Sequence, residues 1–435
     1  MSYSAALRQA GGESIFPGLF LPVQGPIDFV VQDIAVIMVV AAVMLAITYK
    51  LKQPMVIGYI IAGMIIGPYT PPFGLIQSQE TLHLFSELGI IMLLFVIGTE
   101  FPIAKMRSVG RISMMVALVE SIGTLLIVFF IAQNLGFNVY DSLFLGLALS
   151  ITSTVITVRV LEDVGLIRDK SSTLILGISI VEDILAISIL ATLQSIATSG
   201  VDLSSGEFSI ISLLISIGTV SAFVGSILVV GSKFMPKIID RAGRTNDYAL
   251  LLIVILSLAF GLSFIAKGFG LSVATGAFLA GVLVAESKTA AVSRIITIPL
   301  RDMFAALFFI SIGALMNVAL LPEFIVPTMI LILTSFSSKF LIVTGILVRA
   351  NYDNTTALRT GLGMSAARGE LSLVVAKGGQ DVGAISSSIL PILGVVTIVT
   401  TLICPFVIKV GSRLKLSEPT EEESRDEKRK KEEES

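Results

Sequence analysis

Long apolar runs alternate with short polar breaks along most of this chain. A run of about 20 apolar residues is long enough to cross a bilayer as a helix. Thirteen candidates stand at 29–48, 54–68, 82–99, 110–134, 140–160, 171–196, 207–231, 247–266, 270–285, 297–317, 323–348, 355–376 and 384–410. The second and ninth are short and rich in glycine. Basic residues crowd alternate loops: Lys50 and Lys52 after the first run, Lys105, Arg107 and Arg111 after the third, Arg159, Arg168 and Lys170 after the fifth. The same holds for Lys233, Lys237, Arg241 and Arg244, for Lys288, Arg294 and Arg301, and for Arg349 and Arg359, whereas the other loops carry only Lys267 and Lys377. Lysine and arginine in short loops mark the cytoplasmic side. The pattern predicts about thirteen transmembrane helices, with the N-terminus outside and the C-terminus in the cytoplasm of a cell membrane.

Composition sharpens that picture. Charged residues make up 14% and hydrophobic ones 54% of the chain, with a mean hydropathy of +0.93. Soluble domains carry about 25% charged residues, so a soluble enzyme is excluded. The net charge of −2 gives no reason to expect a nucleic-acid partner. A single cysteine, Cys404, rules out an intramolecular disulfide, and a single histidine, His83, makes a resident metal centre unexpected. No nucleotide-binding glycine motif is present, and no cofactor is expected. Residues 1–28 read as an extracytoplasmic segment without the pattern of a signal peptide. Residues 29–410 form the membrane domain, with a core around 110–196 and 323–410. Residues 411–435 form a mixed-charge tail too polar to bury a core.

Ionisable residues inside membrane helices face cavities, pair with one another, and mark ion paths. Here they are Asp33, Glu87, Glu120, Glu182, Asp183, Lys339, Arg368 and Glu370. Glu182 and Asp183 sit side by side at mid-depth of the sixth run. Adjacent helical positions diverge by about 100°, so one carboxylate can face a water-filled cavity while the other faces a neighbouring helix. Ser179 lies four residues before Asp183 and shares its face, which places its hydroxyl as a candidate ligand to the same ion. Lys339 is the natural counter-charge and a candidate proton switch, since a buried lysine loses its proton readily when unpaired. Asp33 and Glu120 have no evident partner and read as polar contacts within the bundle.

"SITST", residues 150–154, places four hydroxyls in five residues. Such a run either packs as an ordinary helix face or marks a broken helix whose freed backbone binds a cation near mid-membrane. Thr152, Ser153 and Thr154 are the candidate ligands in the second case. An echo of "GLALSITST" from Gly146 occurs as "GLGMSAARG" from Gly361. The loop charges give these segments opposite directions, which suggests an inverted repeat. In the second copy Arg368 and Glu370 require a cavity or each other.

"QPMVIGYIIAGMIIGP" (53–68), "SELGIIMLLFVIGTEF" (86–101), "GLALSITSTVITVRVL" (146–161), "VED" (181–183), "SVATGAFLAGVLVAES" (272–287) and "LFFISIGALMN" (307–317) together resemble the monovalent cation:proton antiporter-2 family. The resemblance spans about residues 30–410. It implies an all-α homodimer of thirteen-helix protomers in the lipid bilayer, each with inverted repeats and two crossed broken helices, here the fifth and twelfth runs. It implies that Asp183 carries the cation, Na+ or K+, or the proton, and that Lys339 pairs with Glu182. Glu370 matches an acidic position in the second crossover helix of some relatives. The position of Glu182 is aspartate in electrogenic sodium/proton antiporters and glutamine in the glutathione-gated potassium efflux branch. A fused nucleotide-binding regulatory domain, present in that branch, is not expected here. The expected function is exchange of cytoplasmic Na+ for external H+ by alternating access. The alternatives are K+/H+ exchange or, from another class, a sodium-coupled organic-anion symporter or a cation channel. Because Glu182 keeps the acidic pair, two protons per cation is the expected stoichiometry.

Overall fold

A computed structural model describes residues 26–413 apart from 52, 70–74, 77, 101–109, 167–168, 199–217, 219–221, 246, 270, 318 and 320. The segments 1–25 and 414–435 lie outside the described residues, and with them most of the expected terminal segments. The described residues are helical and contain no strand. The helices are α1 (Pro26–Leu51), α2 (Met55–Ile66), α3 (Gln79–Thr99), α4 (Arg111–Asn134), α5 (Val139–Ser150), α6 (Thr154–Asp163) and α7 (Lys170–Thr198). Then follow α8 (Ala222–Gly243), which contains a π turn at Ile227–Gly231, α9 (Tyr248–Gly268), α10 (Val273–Ala285) and α11 (Ala290–Leu315). The last are α12 (Leu321–Arg349), α13 (Asn354–Ser365), α14 (Glu370–Asp381) and α15 (Ile389–Ser412).

Among the described residues ten helical stretches are long and apolar enough to cross a membrane, counting Val139–Val158 across the break between α5 and α6. Helices α2 and α10 are apolar but shorter. Large apolar side chains point outward along the long helices, as at Val39 of α1, Phe264 of α9 and Leu341 of α12, each more than 60% exposed. An outward apolar face is what a bilayer rewards. This is a multi-pass membrane protein.

The helices pack in two groups. In the first, α3 lies against α10 and α11, α2 against α1 and α11, and α9 against α10. Glycine lets these backbones touch. A methyl group added to Gly98 would sit 2.2 Å from the carbonyl oxygen of Phe278, and one on Gly281 would sit 2.0 Å from that of Phe95. Gly63 and Gly313 form the matching seam between α2 and α11, at 2.1 Å from Ile310 O and 2.3 Å from Ile60 O. Small residues at such crossings are how membrane helices gain close packing where water gives no hydrophobic push. In the second group α4 packs on α5, α7 and α12, α13 on α7, α12 and α15, and α14 on α5 and α15.

Most of the seventh run, 207–217 and 219–221, lies outside the described residues, and its described end runs further than expected. The part of 207–231 that is described belongs to α8, which continues to Gly243. The extension is amphipathic: Lys233, Lys237 and Arg241 are exposed while Ile239 and Ala242 are buried. Asp240 accepts the amides of Lys288 and Thr289 at 2.8 and 3.3 Å, which ties this end to the start of α11. A hydropathy window stops at the first lysine, whereas the helix continues on its buried face. Helix α11 likewise starts seven residues before its apolar run, and Arg294 there donates to Thr99 O at 2.7 Å.

Candidate ion-binding site

Two helices break at mid-length, and the breaks meet. The chain leaves α5 after Ser150, runs extended through 151–153 and restarts as α6, with Ser153 as its N-cap accepting from the amide of Ile156 at 3.5 Å. Hydroxyl side chains favour such caps over helix interiors. The second break, 366–369, lies between α13 and α14. Ser150 and Ser365, the last helical residues before the breaks, hold the same place in the two echoed segments. The amide of Ser153 donates to Ala367 O at 3.0 Å, and Thr152 Oγ1 to Met364 O at 2.8 Å. Gly369 is required by this approach, since a methyl group there would lie 2.3 Å from Ser153 Oγ.

Each break leaves orphaned carbonyls on one side and orphaned amides on the other. Cations meet the carbonyl ends. Lys339, from α12, donates to Ser150 O at the end of α5. Arg368, within the second break, donates to Leu149 O at 2.8 Å and to Ser365 O and Ala367 O at 3.3 Å each. Carboxylates lie at the amide ends. Asp183, from the unbroken α7, accepts from Thr154 Oγ1 at 3.3 Å, and Glu370 opens α14 and accepts from Ser153 Oγ at 3.4 Å. Both signs are those the partial charges of a helix end favour.

Asp183 and Glu370, with Thr152, Ser153 and Thr154, line a cavity of about 620 Å³ that reaches Glu100 and Glu162 at the ends of α3 and α6. Asp183 is 6% exposed, and its Oδ1 has no hydrogen-bond partner. Its neighbour Glu182 points elsewhere: Oε1 lies 3.2 Å from Lys339 Nζ, and Oε2 accepts the amide of Thr152 at 3.1 Å. Adjacent carboxylates of one helix thus face a cavity and a dry ion pair respectively.

Ser179 and Glu120 differ from expectation, and the alternative left open for Arg368 and Glu370 is resolved. The Ser179 hydroxyl is not brought to Asp183; it meets Met364 Sδ at 3.7 Å. Sharing a helical face fixes the Cβ direction and leaves the hydroxyl free to choose its own partner. Arg368 and Glu370 form no ion pair: the guanidinium is committed to backbone carbonyls, while Glu370 faces the cavity. Glu120, read as a bundle contact without a partner, lies 3.2 Å from Lys339 Nζ and is fully buried. Its only sequence signal was a lone mid-span carboxylate with Thr124 four residues on, which donates to Glu120 Oε1 at 3.0 Å. Among the described residues no cluster of histidine, cysteine and carboxylate side chains has the makings of a metal centre.

Comparison with known proteins places this geometry. The K(+)/H(+) antiporter subunit KhtU of Bacillus subtilis (strain 168) is 26% identical over 89% of this chain and 95% of its own length. The high-affinity Na(+)/H(+) antiporter NhaS3 of Synechocystis sp. (strain ATCC 27184 / PCC 6803 / Kazusa) is 30% identical over 75% of this chain and 71% of its own. YbaL of Escherichia coli (strain K12) is 31% identical over 70% of this chain, which spans 56% of that relative's length. The fold matches that of the sodium proton antiporter MjNhaP1 from Methanocaldococcus jannaschii, with a TM-score of 0.65 at 18% identity, covering 89% of this chain and 96% of the other. The family model described as "Sodium/hydrogen exchanger, transmembrane" matches residues 36–410. With that match over most of its length, the chain belongs to the sodium/hydrogen exchanger family, a family of membrane transporters and not of enzymes.

Proposed function

We propose that this protein exchanges cytoplasmic Na+ for external H+ by alternating access, with Asp183 as the group that carries either the cation or the proton. The observation that supports this most is the Asp183 carboxylate: it lines the cavity, is nearly buried, and keeps one oxygen without a partner. An ionised carboxylate in such a place needs a cation or a proton. Occupancy by one excludes the other, and that competition couples the two flows. Thr154 and Ser153 supply hydroxyl oxygens beside it, and Glu370 adds a second carboxylate to the same wall.

The reading has thirteen crossings: the ten long helices, the short α2 and α10, and the broken pair α13/α14. The basic loops put the ends of α3 and α6, and so the cavity mouth, in the cytoplasm. At the far end of α14 the buried Lys377 pairs with Asp381 and lies 3.5 Å from His83 Nδ1 of α3, a contact between the two helix groups. Alternating access is then movement of the second group against the first. A homodimer in the cell membrane, N-terminus outside and C-terminus inside, completes the scheme.

Potassium fits the same residues, and relatives named for either ion are similar to this chain. The deciding experiment is a proteoliposome assay with a preset pH gradient. Added sodium is expected to dissipate the gradient, with potassium and lithium run in parallel. Dissipation by potassium alone selects K+/H+ exchange. Sodium uptake that is indifferent to the pH gradient would reject antiport in favour of a channel or a symporter.

A further inference from the structure

We propose that the end of α8 is a binding site for anionic phospholipid headgroups of the leaflet at which that helix leaves the membrane. Lys233, Lys237, Arg241 and Arg244 hold the phosphates, while Phe234 and Ile238 lie against the acyl chains.

The first observation is a change of chemistry along one helical face. Successive residues of a helix turn by about 100°, so these four cations fall within roughly 80° of one another. All four are exposed. One turn earlier the same face carries Val229 and Val230, which are exposed and apolar. Outward apolar groups mark contact with hydrocarbon. Outward cations one turn further on mark the headgroup level, where long basic side chains lay their stems on apolar surface and their charges among phosphates. Phe234 and Ile238 each follow a lysine by one residue and are exposed too. Left in water, that flank would cost free energy. Beside a bilayer it forms the apolar edge of an interfacial amphipathic helix. The opposite face is committed to protein: it packs on α9 and α10, Ile239 and Ala242 are buried, and a methyl group on Gly243 would sit 2.5 Å from Thr289 Cγ2. The helix therefore cannot turn its basic stripe away from the lipid.

The second observation is that the protein supplies no anion to this stripe. Among the described residues none of the four cations forms an ion pair, whereas Lys267 pairs with Glu87, Arg301 with Asp302 and Arg359 with Asp169. The carboxylates nearest in sequence are engaged with backbone. Asp240 accepts the amides of Lys288 and Thr289, and Asp247 accepts those of Ala249 and Leu250 at 2.9 and 3.2 Å. Lys288, exposed beside the helix end, adds a further positive charge. Uncompensated cations at a membrane surface attract anionic lipid within about a Debye length. Lys233, Lys237 and Arg241 span about 12 Å of helix axis, so the headgroups meet a continuous row of charge.

The test is thermal melting of the full-length protein in detergent, with added phosphatidylglycerol, phosphatidylcholine or inorganic phosphate. Phosphatidylglycerol is expected to raise the Tm by several degrees more than phosphatidylcholine, and phosphate to leave it unchanged. The triple variant Lys233→Gln, Lys237→Gln, Arg241→Gln is expected to melt like the wild type without lipid and to lose most of the phosphatidylglycerol shift. A control triple, Lys50→Gln, Arg349→Gln, Lys409→Gln, removes exposed cations from the last turns of α1, α12 and α15 and is expected to keep the shift. Four results overturn the proposal: equal shifts with the two lipids, an equal shift with phosphate, an equal loss in the control, or a full shift in the α8 triple. If that triple does not fold, Lys237→Gln alone decides in the same assay: a reduced shift sustains the site and an undiminished one defeats it.

Discussion

The seam between α3 and α10 and the crossing of the two broken helices both bring backbones into contact, with opposite results. At the seam, Gly98 and Gly281 let two helices touch, and neither helix breaks at the contact. At the crossing, Gly369 lies against Ser153, and both helices give up a turn to meet. The seam has no charge to place. The crossing exposes carbonyls and amides that attract Lys339, Arg368, Asp183 and Glu370. Close packing alone makes a scaffold, whereas close packing with unpaired backbone gathers charged side chains, the arrangement the proposed ion site needs. Stability and transport should therefore fail separately when the two regions are altered.

The largest effect is expected at the seam. Gly281→Val places a β-carbon about where the Phe95 carbonyl oxygen already lies, and backbone cannot swing aside as a flexible side chain can. No monodisperse protein is expected on size exclusion in detergent; a normal yield would mean that the seam is looser than described. Asp183→Asn separates the two properties most cleanly. Asparagine keeps the shape and cannot take up a proton, so cation-driven proton movement should fall to the level of empty liposomes. The melting temperature should stay at or above that of wild type, and a variant that both folds and transports would remove Asp183 from its role.

Smaller effects sharpen the dry side of the crossing. Lys339→Met leaves Glu120 and Glu182 with only Arg368 between them, and breaking a buried pair costs about 3–5 kcal/mol. Adding Glu120→Gln restores the balance, so the double variant should melt higher than Lys339→Met alone. Simple addition of two losses in a thermal scan would show that the side chains do not share a charge. The smallest effect is expected far from both regions. Gly345 of α12 has no atom within 4 Å of an added β-carbon. Gly345→Ala should stabilise by about 1 kcal/mol or less, the helix-propensity difference, with transport unchanged; loss of activity would point to a surface in use there.

Much of the crossing was legible because its residues are expensive. A charge in an apolar run has to be satisfied, so Asp183, Glu182 and Lys339 stood out, and the Glu182–Lys339 pair is present at 3.2 Å. The family resemblance put breaks in the fifth and twelfth runs, and in the two echoed copies Ser150 and Ser365 end their helices at the same place. Glu120 stood out equally and stayed unassigned, because its partner lies on a helix more than 200 residues away and only tertiary packing brings them together. Ser179 went astray for a different reason: periodicity gives the face and says nothing of the rotamer. The glycine-rich motifs at 53–68, 86–101, 272–287 and 307–317 carried the family resemblance, yet only the fold shows that they pair as Gly63 with Gly313 and Gly98 with Gly281.

The cavity mouth has a kinetic consequence. Glu100 and Glu162 are both exposed at its rim. Two like carboxylates beside a low-dielectric passage focus field lines and raise the local concentration of counter-ions. On the proposed reading, loading of Asp183 is a steered encounter whose rate should exceed that of random diffusion to a narrow opening. Such steering decays over a Debye length of about 8 Å at physiological ionic strength. An inert salt should therefore raise the half-saturating cation concentration without changing the maximal rate, and neutralising both rim residues should abolish that salt dependence. On the proposed reading, the entrance governs how fast ions arrive, while the crossing governs what they are exchanged for.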